Sequence, residues 1–120
     1  MPHIHVEYSD NLAVEARPLL KALNLSLFES GHVSDAKDIK SRAMVQPEFI
    51  VGLDENANQA YIHAKVSLLT GRSIEVQQQI SNQLLHVLQQ HVPVTQCDVQ
   101  LCVEILEMNK ETYSKTIIQA

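Results

Sequence analysis

The segment MPHIHVEYSDN (residues 1–11) decides the fold that we predict for this chain. Ile4, Val6 and Tyr8 alternate with polar residues, a pattern that predicts a half-buried β-strand. The segment YIHAKVSLL (residues 61–69) repeats the alternation at an offset of 58 residues. The chain is therefore predicted to contain one structural unit written twice.

A helix is predicted after the first strand, because apolar residues recur there at intervals of three and four positions. We expect Asp10 or Asn11 to cap a short opening turn. Pro18 is expected to be the first residue of the main helix, where a missing N–H costs nothing. Gly31 is expected to stand just beyond the end of the helix.

The first unit is predicted to close with a second strand over residues 39–45. Alternation along that strand would put Lys40 and Arg42 on the same face. A short extra strand over residues 49–51 is expected next, followed by turn residues 52–58. These elements complete the first strand–helix–strand unit.

The second unit has the same order of elements. Ser73 is expected to cap a helix that Pro93 stops. Residues 99–105 alternate again and predict the last strand, and residues 109–120 form a polar tail. By the offset of 58 residues, Gln100 corresponds to Arg42.

The connection inside each unit is long enough for a right-handed parallel crossover. We therefore predict an α+β two-layer sandwich, with a four-stranded sheet and both helices on one face. Residues 1–120 are expected to form one domain, with pseudo-repeats at about 2–50 and 59–108. We expect the other sheet face to carry few charges. Because a large apolar face seldom stays exposed, we also expect self-association to cover it.

Composition excludes several classes of partner. The formal charge is −5, and nucleic acids and anionic membranes both attract basic surfaces. No run approaches the roughly 18 apolar residues of a membrane helix. The N-terminus shows no signal-peptide pattern, so we expect a cytoplasmic protein without a nucleic-acid or membrane partner.

We expect neither a metal ion nor a cofactor. Cys97 and Cys102 have neither zinc nor redox-motif spacing and are interpreted as small core or edge residues. His3, His5 and His63 could be imagined as a metal cluster. Strand histidines two residues apart are more commonly solvent or interface residues, and we favour that interpretation.

Pro2 is the first candidate catalytic residue. If Met1 is removed, Pro2 has a free secondary amine that can act as a base or a nucleophile. If Met1 stays, the same nitrogen is a tertiary amide and can do neither. Many proteins begin with Met-Pro and use the proline for nothing. A catalytic role of Pro2 therefore requires that the Met1–Pro2 bond is cleaved.

Three basic residues are candidates for binding an anion. Arg72 lies just before the N-cap Ser73, where unpaired N–H groups favour an anion and a guanidinium suits a carboxylate. Lys40 and Arg42 could form a second clamp. The alternative for all three is a solvated surface position.

A series of short motifs along the chain resembles the tautomerase superfamily, and in particular its 5-carboxymethyl-2-hydroxymuconate isomerase family. The resemblance covers most of the chain through the second helix. The matching pieces are Met1-Pro2-His3, Val6-Glu7, Ser9-Asp10-Asn11, Ile39-Lys40-Ser41-Arg42, Tyr61 with His63, and Gly71-Arg72-Ser73 with Glu75.

The resemblance implies a homotrimer that acts on a small unsaturated carboxylate in homoprotocatechuate degradation. It implies Pro2 as general acid/base, Arg72 on a carboxylate or carbonyl group, and Lys40 or Arg42 as the second clamp. The family usually has arginine where this chain has Lys40. Two alternatives stay open, a non-catalytic trimeric binding or interaction protein, and a decarboxylase or dehalogenase of the same fold.

Overall fold

The computed structural model describes residues 1–55 and 58–120. The strands are β1 (His3–Ser9), β2 (Lys40–Gln46), β3 (Gln59–Leu69) and β4 (Asp98–Met108), the helices are α1 (Ala16–Glu29) and α2 (Ile74–Gln90), and a 3-10 helix spans Ala36–Asp38. Within the described ranges, no helix is both long and apolar enough to cross a membrane.

The four strands form one mixed sheet in the order β2-β1-β3-β4. β1 runs parallel to β2, β3 runs parallel to β4, and β1 is antiparallel to β3. Each parallel pair is joined through a helix, as a parallel connection requires. The structure thus confirms the predicted α+β fold of two βαβ units.

The core lies between the sheet and the two helices. α1 packs against α2 and β2, and α2 also packs against β4. Leucines and isoleucines at helical spacing face the sheet, because a period of 3.6 residues aligns them in one stripe. The buried residues of this layer include Leu19, Leu23 and Leu27 of α1, Ile80, Leu84 and Leu88 of α2, and Ile4, Val6, Ile62 and Val66 of the sheet.

The predicted cap of α1 was wrong. The helix starts after Glu15, whose side chain makes no capping hydrogen bond. Asn11 instead donates from Nδ2 to the carbonyl oxygen of Gln59 at 2.8 Å. Its side chain joins the end of β1 to the start of β3, a use that local sequence does not reveal.

The ends of α1 follow general backbone rules. Pro18 is the third helical residue rather than the first, and it is tolerated because N–H groups of the first turn have no intrahelical acceptor. Gly31 follows the helix with a φ of +82°. A left-handed residue at this point is a common helix stop, so the predicted C-terminal end is confirmed.

Residues 49–51 do not form the predicted extra strand. Phe49 instead packs edge-on against Tyr61, with ring centroids 6.0 Å apart. The turn predicted over residues 52–58 includes residues 56 and 57, which lie outside the described residues.

The sheet face opposite the helices carries many charges, so our expectation of few was wrong. The strands alternate, and burial of one set of residues leaves the polar set on this face. Lys65 Nζ lies 3.6 Å from Glu7 Oε1, and His63 Nε2 lies 2.8 Å from Glu104 Oε1. The face balances part of its own charge through such cross-strand pairs.

The two units differ in the length of their crossovers. His5 pairs with Arg42, whereas the corresponding His63 pairs with Cys102. The second crossover is therefore two residues longer than the first. The position opposite His63 is taken by Cys102 and not, as the constant offset predicted, by Gln100.

Leu23 and Leu25 of α1 provide a matched test of this packing. Leu23 is 0% exposed and Leu25 is 54% exposed. Leu23→Ala should lower the free energy of unfolding by about 2–5 kcal/mol, because it leaves a cavity. Leu25→Ala should change it by no more than about 0.5 kcal/mol. Equal losses for the two variants in urea denaturation would contradict the assignment of the buried helix face.

Candidate active site

The sheet topology gathers the candidate residues at one end. β1 and β2 begin at this end, with His3 paired to Lys40. β3 ends there, because His3 also pairs with Ser67. β4 ends there too, since Leu69 pairs with Met108. The N-terminus, the entry to α2 and the start of the C-terminal tail therefore meet.

Pro2 is fully buried at this end of the sheet. Its carbonyl oxygen accepts a hydrogen bond from the backbone N–H of Lys40 at 3.1 Å, which extends the β1–β2 pairing by one bond. Met1 precedes Pro2 in the described chain, so the proline nitrogen is here an amide. The ring is held rigidly, in the position where an amine would be fixed if Met1 were removed.

The α-amine of Met1 reports the electrostatics next to Pro2. Burial lowers the pKa of this amine below its ordinary value. Lys40, Arg72 and Lys115 lower it further, whereas Asp38 acts in the opposite direction. An amine at this place is thus surrounded by cations that disfavour its protonated form.

Arg72 is positioned by the turn between β3 and α2. Gly71 has a φ of +122°, a conformation that side chains rarely adopt. The Oγ atom of Ser73 accepts from the N–H of Val76 at 3.2 Å and caps α2, which confirms the predicted cap. The sharp turn brings the guanidinium back towards the end of the sheet.

The guanidinium of Arg72 is held by two backbone carbonyls. Nη1 donates to Leu69 O at 3.3 Å, and Nη2 donates to His32 O at 2.9 Å. A guanidinium has five N–H donors, so these bonds orient it and leave donors for a ligand. Because His32 follows α1, the first unit helps to position the arginine of the second.

Lys40 lies beside the N-terminus. Its Nζ donates to the backbone oxygen of Asp38, and the side chain is partly buried. Burial lowers the pKa of Lys40 most, and the positive charges of Lys115 and Arg42 add to this. Lys40 therefore belongs to the group of cations around the amine.

Arg42 is exposed and turned towards His3. Its Nη2 donates to His3 Nδ1 at 2.7 Å. Because arginine has only donors, Nδ1 must accept and the neutral ring carries its proton on Nε2. That nitrogen donates to the hydroxyl oxygen of Tyr113 at 2.9 Å. Of the two possible clamps, Lys40 lowers the pKa of the N-terminal amine, whereas Arg42 is hydrogen-bonded to His3.

Three residues at this site were missed by the sequence analysis, namely Asp38, Tyr113 and Lys115. Lys115 Nζ lies 2.8 Å from Asp38 Oδ1, and this hydrogen bond lowers the pKa of Asp38. The tail has no periodic pattern and lies outside the motifs that carry the resemblance. No sequence signal pointed to it.

The histidines have other partners than a metal ion. His3 bonds to Arg42 and Tyr113, and His63 faces Glu104. In residues 1–55 and 58–120, no three His, Cys, Asp or Glu side chains are arranged to hold a metal ion.

A groove between α1 and α2 has a volume of about 700 Å³. Its lining includes Leu25, His86 and Gln90, and none of the predicted site residues. The candidate site is thus separate from this groove.

Comparison with known proteins identifies the relatives of this chain. A sequence model of the 5-carboxymethyl-2-hydroxymuconate isomerase family matches residues 2–120. The crystal structure of a 5-carboxymethyl-2-hydroxymuconate isomerase from Deinococcus radiodurans R1 is 30% identical, with a TM-score of 0.84. The alignment covers 96% of this chain and 88% of that one.

More distant solved structures share the fold. A 5-carboxymethyl-2-hydroxymuconate delta-isomerase is 17% identical over 98% of this chain and 88% of its own, with a TM-score of 0.68. A fused 4-OT symmetric trimer is 19% identical over 91% of this chain and 87% of its own, with a TM-score of 0.67. Comparison with curated protein sequences gave no match.

The contacts of His3 predict how its ring titrates. Burial lowers the pKa of His3 most, followed by the charges of Lys40 and Arg42. Arg42→Met should therefore raise the pKa of His3 towards its ordinary value in an NMR titration. Arg17→Met removes the same charge from an exposed position on α1 and should leave it unchanged. An unaltered His3 pKa in Arg42→Met would contradict the contact.

The lowered pKa of His3 also determines how its contribution to the stability of the fold changes with pH. The folded pKa of His3 lies below the unfolded one, so its contribution to stability is complete above the unfolded pKa. The contribution is lost as pH falls through the folded pKa. Arg42→Met should reduce this acid-induced loss in denaturant unfolding measured on the two sides of that pH window.

Proposed function

Because the chain belongs to the 5-carboxymethyl-2-hydroxymuconate isomerase family, we propose that it moves a proton within an unsaturated hydroxy acid such as 5-carboxymethyl-2-hydroxymuconate. In this proposal it serves homoprotocatechuate degradation. The observation that carries the proposal is the buried Pro2, next to an N-terminal amine whose pKa is lowered by the cations Lys40 and Arg72. This arrangement suits an acid–base group acting on an anion.

Pro2 is the proposed general acid/base once Met1 has been removed. The secondary amine accepts the proton of the substrate hydroxyl, and the electrons of that O–H bond form the carbonyl group. The electrons of the diene shift along the chain, and its distal carbon takes the proton back from the ammonium. Burial and the neighbouring cations favour a neutral amine, which is the form that can start this cycle.

Arg72 is the proposed partner of the carboxylate or carbonyl at the reacting end. It stands at the N-terminus of α2, whose dipole also favours negative charge. Two backbone carbonyls already orient its guanidinium, so little ordering is needed when an anion binds. The same positive charge would stabilise the oxygen on which negative charge develops.

Lys40 is proposed as the second clamp. Its charge lowers the pKa of the N-terminal amine, whereas the guanidinium of Arg42 is hydrogen-bonded to His3. A lysine offers a point charge and lacks the bidentate fork of an arginine. Arg42 is proposed to help bind the substrate indirectly, through its hydrogen bond to His3.

We also propose that the chain forms a homotrimer. Two fused 4-OT proteins of this fold are described as symmetric trimers. If the uncovered sheet face packs between subunits, its charged residues become buried. The cross-strand pairs on this face would then avoid the cost of burying an unpaired charge.

A non-catalytic binding protein is the second candidate. It would apply to protein that keeps Met1, whose Sδ atom lies 3.1 Å from Lys115 Nζ. With Met1 in place the Pro2 nitrogen cannot accept a proton, although the cations could still hold a small acid.

The amine mechanism is tested at Pro2. Protein that begins at Pro2 should ketonise a hydroxymuconate, and Pro2→Ala should lower kcat about 100-fold or more, because proton transfer loses its rigid secondary amine. Protein that retains Met1, verified by intact mass, should be inactive. Size-exclusion chromatography should show the same assembly for all forms. Equal rates with and without Met1 would exclude the amine from the reaction.

Arg72 is tested with an acid and its ester. Arg72→Ala should lower kcat/KM for a hydroxymuconate about 10- to 100-fold, the loss expected for a charged hydrogen bond. The loss should be smaller for the ester at the bound carboxylate. Arg17→Ala is the matched control and should leave both substrates unaffected. A loss that is equal for acid and ester would contradict carboxylate binding by Arg72.

A further inference from the structure

The C-terminal tail returns to the end of the sheet where Pro2 lies. β4 ends beside β3, and the N–H groups of Thr112 and Tyr113 then donate to Asn109 O, each at 3.1 Å. This turn directs the tail towards β1. The hydroxyl of Tyr113 meets the ring of His3 at 2.9 Å, so the tail is anchored next to Pro2.

Lys115 is the residue that the tail brings to the N-terminus. Its Nζ lies 2.8 Å from Asp38 Oδ1 and 3.1 Å from Met1 Sδ. Its side chain is 24% exposed, and these two contacts hold the ammonium at this end of the sheet, although the residue as a whole lies at the surface. Its positive charge also lowers the pKa of the N-terminal amine and the pKa of Lys40.

The ion pair with Asp38 leaves part of the hydrogen-bonding capacity of Lys115 unused. An ammonium has three donors, and a thioether is a weak acceptor that carries no charge. Among the main charges that act on the N-terminal amine, Asp38 opposes the three cations Lys40, Arg72 and Lys115. This excess of positive charge favours a ligand with more than one negative group.

We propose that Lys115 binds a carboxylate of the substrate and makes the site selective for acids with at least two carboxylates. The inference rests on the proposed function, because removal of Met1 takes away the thioether that Lys115 contacts. A carboxylate oxygen takes the place of that sulfur on Lys115. Lys115 and Lys40, which both hydrogen-bond to Asp38, hold one carboxylate, and Arg72 holds the other.

Tyr113 is the positioning residue for Lys115. Its bond to His3 fixes the tail two residues before Lys115, and His3 in turn holds Arg42. The chain of contacts links the tail to β1 and β2. Within one chain, Lys115 and Pro2 thus lie at the same end of the sheet.

The test compares two inert ligands on protein that begins at Pro2. Muconate and sorbate have the same six-carbon diene, but muconate has a carboxylate where sorbate has a methyl group. In calorimetric titration, Lys115→Met should weaken muconate binding about tenfold, the effect of one charged hydrogen bond. Sorbate binding should stay unchanged. Lys110→Met, which removes the same charge from an exposed part of the tail, should affect neither ligand.

Asp38→Asn separates ligand binding from a structural role. If Lys115 binds ligand, loss of the competing carboxylate should strengthen muconate binding. If Lys115 only pins the tail to Asp38, both Asp38→Asn and Lys115→Met should weaken the two ligands alike, and that result would overturn the proposal. Unchanged muconate binding in Lys115→Met, or a parent protein that does not bind muconate, would overturn it as well.

The proposed function fails separately. If the parent binds muconate through Lys115 but does not ketonise a hydroxymuconate, the isomerase proposal is wrong and the carboxylate site stands. If it ketonises the substrate and Lys115→Met has no effect on muconate, only the role of Lys115 is wrong.

Discussion

The antiparallel pairing of β1 with β3 is the constraint on which the site depends. Within each βαβ unit the two strands run in the same direction. Because β1 and β3 are antiparallel, the start of β1 lies beside the end of β3. This brings Pro2 close to the turn that carries Arg72, although 70 residues separate them in the chain. A parallel junction would put these residues at opposite ends of the sheet.

Charge balance explains how the end of the sheet could support acid–base chemistry. Pro2 is buried, and the α-amine beside it is affected by more positive than negative neighbours. Both burial and positive charge disfavour an ammonium. The positive charges that keep an amine neutral are also the groups that would attract an anionic substrate, so binding and basicity depend on the same residues. Asp38 moderates this field through its bond to Lys115.

The sequence predicted the elements whose signals are local. Alternating residues in β1 and β3, the stripe of leucines in α1 and the Ser73 cap of α2 all lie within short windows. Its errors came from competition between distant groups. Asn11 is a good cap in isolation, yet its amide bonds to Gln59. Residues 49–51 resemble a strand, yet Phe49 packs against Tyr61 of β3 through its ring. The constant offset missed the longer second crossover, which only strand pairing reveals.

The sequence by itself determined the two βαβ units, the position of Pro2 before the first strand and that of Arg72 at a helix entry. These depend on periodicity and on residue type, which any short window contains. Only the tertiary structure decided that Lys40 faces the N-terminal amine while Arg42 turns to His3. It alone brought Lys115 to Asp38 and Met1. The physical reason is that these contacts depend on strand register and on the path of the tail, which no local pattern encodes.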